Sequence, residues 1–224
     1  MMQNEIRITA ENLNRARAFA KAFHTGEGTG HDWWHIKRVV EQAKLIAQHE
    51  RNADQLLVQL IGLLHDVPDR KLHSSEDEGQ AYLLTWLRSQ FDEQQSRRLL
   101  QCINEISFKG AGVDDFVSCK EVAIVQDADR LDALGAIGIA RAFAYGGKKN
   151  RALFDPDIYP EIHLSYEAYK ISEGHTINHF YEKLLLLEER MHTETGRQIA
   201  HQRTIFMKSF LRQFYNEWGV EWEV

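Results

Sequence analysis

Along most of the chain the apolar residues recur at steps of three and four rather than in alternation, the spacing of helices with one buried stripe. In WHIKRVVEQAKLIAQHE, which begins at Trp34, residues Ile36, Val39, Val40, Ala43, Ile46 and Ala47 share one side, while Lys37, Glu41, Lys44 and Gln48 face away. Gly30 and Asp32 put the start of this helix at Asp32 and leave His31 in the preceding loop. Asp54 caps a second segment, QLLVQLIGLLHDV, which ends near Pro68 and is apolar nearly all round, so it should be central. Further helices are predicted over GQAYLLTWLRSQF, QSRRLLQCINEISF and VAIVQDADRLDALGAIGIARAFAY, with looser connections at 109–118 and 146–159. The run HFYEKLLLLEERMHTETGRQIAHQRTIFMKSFLRQFYNEW reads as two long helices joined around 193–196. Nothing alternates at period two and no segment repeats. The expected fold is all-α, a compact helical bundle.

Proline is scarce, with 3 in 224 residues, which suits long uninterrupted helices. The stretch 146–173, with Pro156 and Pro160, is either a domain boundary or a substrate-covering loop, because long structureless loops are uncommon in compact domains. A net charge of -6 disfavours a sequence-independent grip on nucleic acid, which relies on clustered Lys and Arg. A hydrophobic content of 43% offsets the ordering entropy of the chain, so disorder is disfavoured too. Cys102 and Cys119 form neither a disulfide framework nor a paired zinc site, and they read as ordinary core or half-buried thiols. The N-terminus lacks a secretory pattern and no stretch is apolar enough for a membrane span. A cytoplasmic, soluble protein is expected.

Ionisable residues within apolar helices are where chemistry is sought, since burying them is costly unless they are matched to a partner. His65 and Asp66 close the most apolar helix, and imidazole with carboxylate suits a divalent transition metal. The plainer reading puts His65 near the helix carbonyls and Asp66 in an exposed turn. Upstream, GHDWWHIKRV offers His31, Asp32 and His35, as ligands or as capping and packing groups. Downstream, Asp127, Asp129 and Asp132 lie in a helix rich in Val, Leu, Ile and Ala. They read either as a solvated face paired with Arg130 or as groups in a closely packed helix.

The ordered set His35, His65-Asp66 and an aspartate within ADRLDALGA resembles the H…HD…D signature of the HD superfamily of metal-dependent phosphohydrolases. The strings GHDWWHIKRV, LLHDVPDRK and IVQDADRLDALGAIGIAR resemble its small stand-alone bacterial members, and the likeness extends through NHFYEKLLLL. The resemblance implies a single HD-type domain over 1–224, with a metal-site core at about 20–145 and a C-terminal helical extension at about 160–220. It implies that His35, His65, Asp66 and Asp129 hold one divalent ion (Mn, Ni, Co or Mg), with Asp127 the alternative fourth ligand. His31, Asp32, Asp69 and Lys71 flank these positions as supporting or phosphate-facing groups.

The expected activity is hydrolysis of a phosphoester or phosphoanhydride in a small molecule, a nucleotide above all, by a metal-activated water. Asp69 is the candidate base or water-orienting group; Arg38, Lys71, Lys183 and Arg203 are candidate phosphate clamps. Trp33, Trp34 and Phe108 either stack a base or pack the core. An alternative is a catalytically silent nucleotide- or metal-sensing module. A two-iron oxygenase would need further ligands, for which His73, His163, His175 and His179 have no matched segment. Phe206, Phe210, Phe214 and Trp218 recur every four residues, a stripe for the core, for covering the site or for a homodimer contact.

Overall fold

The computed structural model describes residues 6–26, 32–106, 115–161 and 174–221, and among these every regular element is helical. The chain divides into two compact units, 1–107 with 116–128, and 108–115 with 129–224.

The first unit is built on α1 (Ala10–His24), α2 (Trp33–His49), α3 (Gln55–Leu64), α4 (Glu76–Arg88) and α5 (Glu93–Asn104). It also holds most of α6 (Lys120–Asp132). Local chemistry sets each start. Thr9 and Asn12 form a reciprocal capping box at α1, while Asp32, Asp54, Ser75 and Asp92 accept backbone N–H groups at α2 to α5. As its apolar perimeter requires, α3 is central, packing against α1, α2 and α5. Val58, Leu60, Ile61, Leu63 and Leu64 are buried there. Gly62 lets α2 and α3 approach closely: a Cβ at this position would lie 3.2 Å from a Val40 methyl.

In the second unit α7 (Gly135–Lys148) packs against the long α9 (Glu194–Trp218), with a short α8 (Asn178–Glu182) and 3-10 turns at Leu184–Leu186 and Glu188–Arg190 between them in sequence. The single helix expected over 122–145 is therefore two. The i to i+3 bonds Ala133 N to Arg130 O (3.0 Å) and Leu134 N to Leu131 O (3.1 Å) tighten the end of α6. Gly135 then adopts φ 70°, which an L side chain resists. The first of the two expected C-terminal helices is likewise replaced by α8 and the two 3-10 turns, because Lys183 leaves helical geometry at φ -143°. That break lets both Phe180 and Leu184 be buried.

The aromatic stripe of α9 is only partly core. Phe210 and Phe214 meet Phe143, whereas Phe206 is 52% exposed and the helix buries Ala200, Thr204, Met207, Leu211 and Tyr215 instead. Of the 146–173 stretch, 162–173 lies outside the described residues. The part before it is pinned by Thr176 N to Ala152 O (3.0 Å) and Ile177 N to Leu153 O (3.1 Å), with Phe154 buried. Among the described residues no helix is long and apolar enough to cross a membrane.

Candidate metal centre

Two helix termini bring the histidines together. At the start of α2 the Asp32 carboxylate accepts the His35 backbone N–H at 2.8 Å, fixing the first turn so that His35 sits on the buried stripe with Ile36 and Val39. At the other helix, α3 ends at Leu64, so the carbonyls of its last turn have no intrahelical donor. His65 takes one of them: its Nδ1–H donates to the Gly62 carbonyl at 2.9 Å. A carbonyl can only accept, so this bond places the ring proton on Nδ1 and leaves the Nε2 lone pair available to a metal.

The chain then turns sharply. Val67 N bonds Leu64 O (3.0 Å), Asp69 N bonds Asp66 O (3.1 Å), and Pro68 bars any return to helix. The turn is braced by His73 Nε2, which donates to the Val67 carbonyl at 2.8 Å. Gly79 of α4 closes beneath it, where a Cβ would lie 2.5 Å from the Pro68 carbonyl oxygen.

His35, His65 and Asp66 therefore converge, at 1%, 3% and 7% exposure. Their ligand atoms cluster: His35 Nε2 to His65 Nε2 is 3.3 Å, His35 Nε2 to Asp66 Oδ2 is 3.2 Å, and His65 Nε2 meets the other carboxylate oxygen, Oδ1, at 3.5 Å. Ligands about 2.1 Å from one ion stand roughly 3.0 Å apart when cis on an octahedron and roughly 3.4 Å apart on a tetrahedron. The observed spacing fits a single cation. Among the described residues this is the one group of three such side chains within mutual reach, and the donor set suits a divalent transition ion.

The remaining candidates are placed as follows. Asp127 is wholly buried on the part of α6 that belongs to the first unit, and Asp129, half-buried, is the first residue of α6 assigned to the second. Asp132 is buried and pairs with Arg141 at 2.5 Å, and Arg130 pairs with Asp115 at 2.8 Å. The reading of these aspartates as a solvated face paired with Arg130 does not hold: Asp127 and Asp132 are buried, Asp132 pairs with Arg141, and Arg130 pairs with Asp115. Asp69 is half-buried and its carboxylate accepts the Lys71 backbone N–H at 2.7 Å, capping the 3-10 turn Arg70–Leu72. Lys71 is exposed and Arg38 half-buried.

In the second unit Lys183 is half-buried, and Arg203 donates to the Leu131 carbonyl at the end of α6, a favourable place for a cation. Burial holds the Arg203 guanidinium below its ordinary pKa. His31 and Phe108 lie outside the described residues. Trp34 is not core: it is 60% exposed, with the Lys37 ammonium 5.3 Å from its ring centroid.

Sequence reasoning missed the Gly62 carbonyl and His73 as the groups that orient the His65-Asp66 turn. The first was accessible in principle, since a histidine three residues beyond a last-turn carbonyl can reach it.

No protein-family model matches the chain. Bacillus subtilis YpgQ, an uncharacterized protein, is 35% identical over 209 residues, covering 91% of this chain and 92% of that protein. The crystal structure of a Lactobacillus plantarum protein superposes with a TM-score of 0.85 at 34% identity, covering 96% of this chain and all of the other. An HD-superfamily hydrolase from Bacillus thuringiensis gives a TM-score of 0.71 at 36% identity, covering 94% and 98% of the two chains. YpgQ crystallised in complex with ADP gives a TM-score of 0.70 at 32% identity over 92% and 97%.

Proposed function

Since this chain belongs to the HD superfamily of hydrolases, we propose that it is a divalent-metal-dependent phosphohydrolase whose small phosphorylated substrate is a nucleotide. The observation that carries the reading is the buried group of His35, His65 and Asp66, whose nitrogen and oxygen atoms converge at a spacing that suits one cation. The nucleotide is supported by the ADP bound to the related YpgQ. By resemblance the fourth ligand is Asp129, with Asp127 the alternative.

A divalent ion held there supplies Lewis acidity toward a phosphoryl oxygen and acidifies water. The chain's own groups have separate tasks. Asp32 fixes the backbone of His35, and the Gly62 carbonyl holds the His65 imidazole. Asp69, tethered by the Lys71 N–H, is the proposed base, taking a proton from the attacking water at a carboxylate oxygen. Arg38 and Lys71 are the proposed partners of the phosphate oxygens. Lys183 and Arg203 are proposed to contact substrate, although the Leu131 carbonyl already engages Arg203.

The test is metal analysis of the purified protein, followed by nucleoside mono-, di- and triphosphates with Mn, Co, Ni or Mg. Expected are one metal per chain and release of phosphate or pyrophosphate. Absence of both products with every metal would overturn the nucleotide assignment. Tight nucleotide binding without product would instead identify a silent sensing module.

A further inference from the structure

Two pairs of aromatic residues, Phe19 with Phe23 on α1 and Tyr82 with Trp86 on α4, stand beside the buried stripes of their helices rather than on them. The core face of α1 is Leu13, Ala16, Ala20 and His24, and that of α4 is Gly79, Leu83 and Leu87. Whereas α1 packs on α2 and α3, and α4 on α5, the aromatic rings bridge α1 to α4. Phe19 lies nearly flat on Trp86, with centroids 4.7 Å and planes 14° apart, and Phe23 meets Tyr82 at 5.5 Å. Leu83 and Leu87 on the same helix are at 0% exposure, yet Tyr82 keeps 44%, and Phe19, Phe23 and Trp86 are only half-buried. An apolar cluster left facing water beside a complete core stripe is the mark of a binding surface.

His73 joins this array to the candidate metal centre. Its ring lies against Phe23 (5.6 Å, 23°) and against Tyr82 (5.6 Å). Its Nε2–H holds the Val67 carbonyl at 2.8 Å, and Val67 directly follows Asp66. All of these residues belong to the first unit. Between the Asp66 turn and His73 the chain places Arg70 and Lys71, both exposed. Glu78, the acid one turn before Tyr82, is engaged by Ser74, whose N–H donates to it at 3.0 Å and whose hydroxyl donates to the same oxygen. Along this stretch a metal-ligand turn, two cations and a half-exposed group of rings therefore follow one another. A flat aromatic group carrying phosphate matches that order, with phosphate on the cations and the flat group on the rings.

We infer that the array is the platform for the nucleobase of the substrate, with Tyr82 the ring on which the base stacks and Phe23 and His73 supporting it. The inference rests on the nucleotide reading above and deepens it. Stacking uses the π-face that every base has and ignores the hydrogen-bonding edges, so purine and pyrimidine nucleotides are both accepted.

Isothermal titration calorimetry on the full chain with Mn compares α,β-methylene-ADP with methylenediphosphonate, which share a non-hydrolysable phosphorus chain and differ by the nucleoside. The wild type should bind the nucleotide analogue more tightly. In Tyr82→Ala that preference should shrink by roughly 5- to 100-fold, the size of one base-aromatic stack. Tyr82→Leu, which keeps apolar contact but offers no ring, should behave like Tyr82→Ala, and Tyr82→Phe should retain the preference. A merely structural role would lower both affinities together and leave their ratio unmoved. Equal affinity for the two ligands in the wild type, or a preference that survives in Tyr82→Ala and Tyr82→Leu, would overturn the platform and leave the phosphohydrolase reading standing. Binding of neither ligand would overturn both.

Discussion

The Nε2 atoms of His35 and His65 face each other at 3.3 Å, although one ring comes from the first turn of α2 and the other from the residue that ends α3. The His35 backbone and the His65 ring are each held at a helix terminus, and the pair meets where α2 and α3 pack closely over Gly62.

Asp66 supplies the carboxylate of the group, so Asp66→Asn should weaken metal binding by more than the roughly 10- to 100-fold that loss of an outer partner costs. Inductively coupled plasma measurement after dialysis checks occupancy, and turnover should fall with it. Full occupancy in the variant would remove Asp66 from the ligand set.

Replacing Asp127 and Asp129 separately by Ala distinguishes their roles. Asp129→Ala should lower metal content while leaving the thermal midpoint near that of the wild type. Asp127 is wholly buried, and its removal strands the groups it bonds, so Asp127→Ala should cost about 3 kcal/mol in urea unfolding. The reverse pattern would assign the fourth ligand to Asp127.

Asp32→Ala removes the cap that fixes the His35 backbone, with an expected loss of about 1 kcal/mol of stability. Metal affinity should fall as well, because the first turn of α2 can fray. Asp32→Ser keeps a capping oxygen and should restore both; failure to restore them would show that the negative charge, not the cap, matters.

His175 is buried with Nδ1 accepting the Asn178 N–H (3.1 Å) and Nε2–H donating to the Ile158 carbonyl (3.1 Å), so both ring nitrogens are satisfied in the neutral form. Burial is the main cause that lowers its pKa from 6.5. The unfolded chain then takes up this proton at a higher pH than the folded chain. Above the unfolded value the group contributes no pH dependence; as pH falls below about 6.5, stability should decline until the folded value is reached. Urea midpoints across that range should show a weaker slope in His175→Gln, and an unchanged slope would exclude His175 as the source.

Gly138→Ala tests the break between α6 and α7. A Cβ there would lie 2.1 Å from the Ala133 carbonyl oxygen, a backbone atom that cannot rotate away. The expected cost is about 3 kcal/mol, at the upper end for overpacking, read from chemical denaturation. A change below about 1 kcal/mol would mean that the turn shifts freely.

The helical class, the caps at Asp32 and Asp54 and the centrality of α3 were legible because each rests on local periodicity and a single capping side chain. His65 and Asp66 stood out as ionisable groups closing an apolar helix, but their grouping with His35 came from the resemblance to the HD signature rather than from periodicity. What escaped the sequence depends on long-range packing. The left-handed Gly135 sits inside a run whose periodicity continues across it, and the short α8 replaces what four consecutive leucines suggest is a longer helix. The Asp115 pairing with Arg130 joins segments that no spacing rule relates.

Because α3 stops at Leu64, the Gly62 oxygen is available to the His65 ring. Were the helix to run one residue further, the amide of Asp66 would compete for that oxygen, and the imidazole would be free to carry its hydrogen on the opposite nitrogen. Helix length thus doubles as a tautomer selector, and an insertion or deletion in this stretch would alter coordination chemistry before it altered the core.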